Sequence, residues 1–127
     1  MNNHQQIIIW ALVCICIIVL YQFIHIKLDN TLTYDPMLIT YGNTFIDGWL
    51  ISHFVVFMAA GYFYPNTFVL AMMIGMGWEV LECVFGYIIY YLEYNTYQLH
   101  NWWFGQYKDV IANCMGFLFG QFLFFLI

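Results

Sequence analysis

Two acidic stripes stand inside otherwise apolar sequence. Lys108 to Gly120 reads K-D-V-I-A-N-C-M-G-F-L-F-G, and Gly75 to Gly86 reads G-M-G-W-E-V-L-E-C-V-F-G. Asp109, Asn113, Gly116 and Gly120 fall at i, i+4, i+7 and i+11, and so do Gly75, Glu79, Glu82 and Gly86. On a helix that spacing gathers each set into a stripe about 60° wide. Carboxylates held in apolar surroundings move protons or hold cations. A third segment adds Asp47 and His53, a carboxylate and an imidazole that suit the same chemistry. The glycines have another task, because small residues four apart let two membrane helices approach closely. We expect Gly75, Gly86, Gly116 and Gly120 to be packing positions, and the two stripes to face each other or a shared cavity.

The composition says what kind of elements carry these stripes. Of 127 residues, 65% are hydrophobic and only 7% charged, where a soluble domain carries about 25% charged residues. The chain therefore reads as a single integral membrane domain over residues 1–127, with no room for a soluble domain beside it. Seven acids face two lysines and no arginine, which disfavours nucleic acid and polybasic attachment to anionic lipid. Cys14, Cys16, Cys83 and Cys114 lie in apolar runs without CxxC spacing and read as small packing residues.

A hydrocarbon core about 30 Å thick needs about 20 apolar residues. Four runs meet that need, at about 7–28, 47–64, 68–92 and 109–127. The first lacks a basic leader and a cleavage site, so it reads as a retained helix. Its end carries His25 and Lys27, placed to reach the interface. Pro65-Asn66-Thr67 makes a tight turn with a helix cap at Asn66 or Thr67. Glu93 to Tyr107 holds Trp102 and Trp103 and reads as an aromatic interfacial segment. The expected fold class is thus all-α membrane: a bundle of four transmembrane helices with an interfacial aromatic segment before the last. Lys27 and Lys108 both belong to the side of loops 29–46 and 93–108, which the positive-inside rule makes cytoplasmic.

Depth follows from a rise of about 1.5 Å per residue. From the loop side, Asp47 and Asp109 lie near the surface, with Asn113 about 6 Å and His53 about 9 Å in. Glu82 falls about 15 Å down and Glu79 about 20 Å. The polar groups then line a funnel ending near mid-bilayer. An ionised acid at a span's centre costs roughly 2.5–3.5 kcal/mol. Glu79 and Glu82 must therefore be protonated, hydrogen-bonded, paired with His53, bound to metal or hydrated. A purely structural hydrogen-bond network is the plain alternative to a site. Asp47 and Asp109 have their own, since each opens a helix where a carboxylate caps and complements the dipole.

Taken in order, these residues resemble the VanZ-like family of small integral membrane proteins. The likeness covers about residues 47–120: Asp47, His53 and Gly61 in one span, Glu79 and Glu82 in the next, and D-x-x-x-N-x-x-G-x-x-x-G from Asp109 to Gly120. The pattern departs from the family at Gly48, where a basic residue is common, and at Lys108, near which many members carry an arginine. The family is named for a teicoplanin-resistance protein and has no settled mechanism. The resemblance implies a fold and a site more readily than a reaction.

Three functions fit these residues. In the first, the chain binds or processes an amphipathic, lipid-linked small molecule in the membrane. Asp47, His53, Glu79, Glu82, Asp109 and Asn113 supply the site, and Asp47, His53, Glu82 and Asp109 are able to hold a divalent metal ion. No residue is an obvious activated nucleophile, so covalent catalysis has little support and enzymatic activity stays an open question. In the second, Glu79 and Glu82 serve a small proton- or ion-coupled carrier, which at this length would work as a homo-oligomer. In the third, the stripes only specify helix packing. Membrane lipid is the partner in all three.

Overall fold

The computed structural model describes residues 2–28, 37, 40–42, 45–92 and 106–127. Among them are four α-helices and no strand: α1 (Asn3–Leu28), α2 (Gly48–Phe63), α3 (Phe68–Leu92) and α4 (Tyr107–Leu126). Most of loop 29–46 and residues 93–105, with Trp102 and Trp103, lie outside the described residues. Tyr107, expected at the end of the aromatic segment, instead opens α4.

The helix starts follow from local chemistry. Asp47 is extended, and its Oδ1 accepts the Leu50 N–H at 2.8 Å, a side-chain cap on α2. Between α2 and α3, Asn66 takes the left-handed conformation (φ 66°), which asparagine tolerates better than most residues. The Thr67 hydroxyl donates to the Tyr64 carbonyl at 2.6 Å, so it braces the turn. Gln106 precedes α4 without a side-chain cap of its own.

Two long-range hydrogen bonds fix the directions. The Asn3 side chain donates to the Pro65 carbonyl at 3.3 Å, and the Asn66 N–H donates to Gln121 Oε1 at 3.0 Å. The start of α1 and the end of α4 therefore both sit beside the α2–α3 turn. Edge-on aromatic contacts of Trp10 with Phe57, and of Tyr21 with Trp49, run α1 antiparallel to α2.

The closest seam joins α2 to α4. A Cβ built on Gly116 would collide with the Phe54 carbonyl oxygen, and one on Gly120 with that of Met58. From the other side, a Cβ on Gly61 would collide with the Phe117 carbonyl oxygen. These three glycines let the two backbones touch. Without a hydrophobic drive between helices in lipid, such close packing is what holds them together. The packing role expected of Gly116 and Gly120 has its partner here in α2. Phe117, Phe57, Ala60, Ala71 and Ile7 form the buried apolar centre.

Burial is inverted relative to a water-soluble protein. Asp47, Glu79, Asp109 and Asn113 are at most 7% exposed, whereas Val69 is 71% and Phe63 67% exposed. Three helices contain stretches long and apolar enough to cross a membrane: Asn3–Gln22, Phe68–Ile88 and Tyr107–Leu126. The fourth, α2, is equally apolar but has 16 residues, about 24 Å, short of a core about 30 Å thick.

Candidate functional site

Three helices bring the polar stripes together. His53 lies on α2, Glu79 on α3, and Asp109 with Asn113 on α4. His53 Nδ1 lies 2.9 Å from Asn113 Oδ1, which fixes the imidazole plane across the α2–α4 seam. Its other nitrogen, Nε2, lies 3.8 Å from Glu79 Oε1. That is outside hydrogen-bond range. One ligating atom each from His53, Glu79 and Asp109 falls within 4.8 Å of the other two. An imidazole nitrogen and two carboxylate oxygens thus converge on one point.

Glu79 does two things at once. Its Oε2 accepts the Gln106 backbone N–H at 2.9 Å. A carboxylate from α3 therefore serves an N–H at the start of α4, where such groups lack partners within the helix and where the dipole favours negative charge. This explains how α4 begins without a capping side chain of its own. The other oxygen, Oε1, has no hydrogen-bond partner although it is fully buried, and the same holds for Asp109 Oδ1 and Asn113 Nδ2. Gly75 makes room for the carboxamide: a Cβ there would lie 2.8 Å from Asn113 Nδ2 and 3.0 Å from Phe57 Cζ.

Asp47 belongs to a different arrangement. One oxygen caps α2 and the other meets Lys108 Nζ at 2.6 Å. Lys108 also donates to the Phe45 carbonyl at 3.2 Å. This pair is saturated and stands outside the convergent cluster.

Glu82 also stays outside the convergent group, partly buried one turn beyond Glu79 and hydrogen-bonded to the Trp78 side chain. The depth reckoning from sequence ranks the two glutamates the other way, with Glu82 nearer to His53. It assumes that α3 ends level with the start of α4. In the structure Glu79 touches Gln106, and α3 runs on for 13 more residues to Leu92. The helix overshoots its neighbour, so the acid closer to its start meets the cluster.

Beside the cluster, a cavity of about 300 Å³ opens between α1, α2 and α3. Its wall is almost wholly apolar, with Trp10, Ile18, Val56 and Ile74 among the lining residues, and it reaches His53 and Asn113. Gly75 lines the same wall and Gly86 is buried further along α3.

Some polar residues escaped the sequence reading. Gln121 holds the Asn66 N–H, and Gln22 is 6% exposed on α1 with an unpartnered Oε1. Each is a lone carboxamide in an apolar run, and that isolation was the available signal. The Gln106 contact runs through a backbone N–H, for which no residue type gives notice. Comparison with protein-family models, with curated proteins and with solved structures gave no match.

Proposed function

We propose that the chain is a four-span integral membrane protein that binds an amphipathic, lipid-linked small molecule. The observation that carries this is the cavity between α1, α2 and α3, whose apolar wall ends on His53 and Asn113. An acyl or prenyl chain fits the wall, and a polar group at its end meets the imidazole and carboxamide. Ligand sites commonly combine an apolar lining with a few convergent polar groups in just this way.

Support for α2 as a span comes from connectivity. α1 and α3 start at the same end, marked by the Asn3–Pro65 hydrogen bond. A chain that ascends in α1 and ascends again in α3 must descend between them, and among the described residues α2 is the only helix there. We place the loop side in the cytoplasm on the strength of Lys27 and Lys108. Likeness to the VanZ-like family rests on the residue pattern from Asp47 to Gly120 and is compatible with this reading.

Native mass spectrometry of the protein released from mild detergent tests the proposal. A co-purifying lipid or lipid-linked species should stay with the parent and be lost from an Ala11→Trp variant, which fills the cavity from α1. A parent that emerges bare from membranes of every composition tried, with no gain in thermal stability on adding polyprenyl phosphate or phospholipid, would sink it.

The carrier reading draws on one specific feature, the two unpartnered carboxylate oxygens at the cluster. Proton flux into vesicles that is lost in Glu79→Gln, with no bound amphiphile, would favour it instead.

A further inference from the structure

We infer that His53 Nε2, Glu79 and Asp109 form a binding site for one divalent transition-metal ion of the zinc or manganese type. This goes beyond the amphiphile reading, since the ion would sit here whether the cavity is filled or empty.

Asn113 sets the tautomer of His53. As placed, Asn113 presents its carbonyl oxygen to His53 Nδ1, 2.9 Å away. That hydrogen bond puts the proton on Nδ1 and leaves the lone pair of Nε2 facing the carboxylates. A carbonyl oxygen behind one imidazole nitrogen, with the other free, is the usual outer support of a metal-ligating histidine. Glu79 is oriented in the same manner, because the Gln106 N–H holds Oε2 and leaves Oε1 turned towards His53.

Three groups of lone pairs then meet in a nearly dry space. Glu79 is 7% and Asp109 5% exposed, and both Glu79 Oε1 and Asp109 Oδ1 are buried without a partner. A buried acceptor that loses its hydrogen bonds is costly, more so when charged, and one cation would answer both oxygens and the Nε2 lone pair at once. An imidazolium would be one answer, but Nε2 stands 3.8 Å from Glu79 Oε1 and makes no hydrogen bond to it. Lys108 is the other cation at hand, and it is engaged 2.6 Å from Asp47. Between the three side chains lies a space bounded by one nitrogen and two oxygens.

The dimensions suit an ion after a small closure. The ligating atoms lie within 4.8 Å of one another, against about 3.4 Å between neighbouring ligands of a tetrahedral zinc with bonds of about 2.0–2.1 Å. The three side chains would draw together by that difference on loading. One imidazole with two carboxylates favours zinc or manganese over magnesium and calcium, which prefer oxygen throughout. Three protein ligands leave a coordination position open to water or to a ligand's phosphate or hydroxyl.

The full chain, purified in detergent and stripped with a chelator, is titrated with Zn²⁺ and with Mn²⁺ and its metal content measured after desalting. One ion per chain is expected. Glu79→Gln, Asp109→Asn and His53→Gln should each weaken binding by at least about tenfold, and Glu82→Gln and Asp47→Asn should leave it unchanged. Absorption by a metal's nearest shell in the unaltered protein, showing one imidazole and oxygen donors, needs no variant to fold. Binding equally lost in Glu82→Gln, or a parent that takes up neither ion, would overturn the assignment. Metal retained by a chain that binds no lipid would uphold this site while removing the amphiphile reading.

Discussion

Two acidic arrangements lie within a few residues of each other at the start of α4, and they are built on opposite plans. Asp47 with Lys108 is complete: one carboxylate oxygen caps α2, the other takes the ammonium, and the ammonium's further donor reaches Phe45. Asp109, the next residue along, joins Glu79 and His53 in a group with buried oxygens left over. Sequence chemistry treats Asp47 and Asp109 alike, as acids opening a helix. Their neighbours separate them. The Asp47 carboxylate has a partner on each oxygen and ties α2 to α4, whereas Glu79 and Asp109 each keep a buried oxygen without one.

That difference can be broken by mutation. Lys108→Ala leaves the Asp47 carboxylate 5% exposed and without its cation. Breaking such a buried pair from one side should cost about 3 kcal/mol, read as a lowered midpoint of unfolding in detergent. Gly120→Ala should be nearly as damaging, on the order of 1–3 kcal/mol, because its new methyl group meets the Met58 carbonyl and forces α2 from α4. Should Gly120→Ala unfold at the parent's midpoint, the close seam would be wrong.

Asp47→Asn keeps a good cap but gives up the ion pair, so a loss of about 1–2 kcal/mol is expected. The matching change on the other side, Glu79→Gln, keeps an oxygen for the Gln106 N–H and removes only an unpartnered charge. Its stability should move by less than about 1 kcal/mol. A larger loss in Glu79→Gln than in Asp47→Asn would erase the contrast between the two groups. The smallest effect belongs to Gly77→Ala. Nothing lies within 4 Å of a Cβ built there, and replacing a mid-helix glycine should be neutral or gain up to about 1 kcal/mol.

Much of the framework was legible before the structure. The expected bounds 47–64, 68–92 and 109–127 differ from α2, α3 and α4 by no more than two residues at either end, since long apolar runs and turn residues set them. The stripes were legible for the same reason: a period near 3.6 puts Asp109, Asn113, Gly116 and Gly120 on one face wherever the helix lies. What stayed hidden is how far each helix slides along its neighbour. Choosing Glu79 over Glu82 depends on α3 overshooting α4, and that offset belongs to three-dimensional packing. The same limit hid the pairing of Asp47 with Lys108, which joins residues 61 apart along the chain.

The shortness of α2 reaches into the surrounding lipid. With four spans as proposed, a crossing of about 24 Å stands beside longer helices, and a bilayer core about 30 Å thick must thin or the neighbours must tilt to cover it. An adjustment at the end where α2 and α4 begin would lie beside Asp47, Lys108 and the three-residue cluster. Head groups drawn down around that dent would meet the cluster from the side, without leaving their leaflet. Four such spans would sit more easily in a thin membrane than in a thick, sterol-rich one.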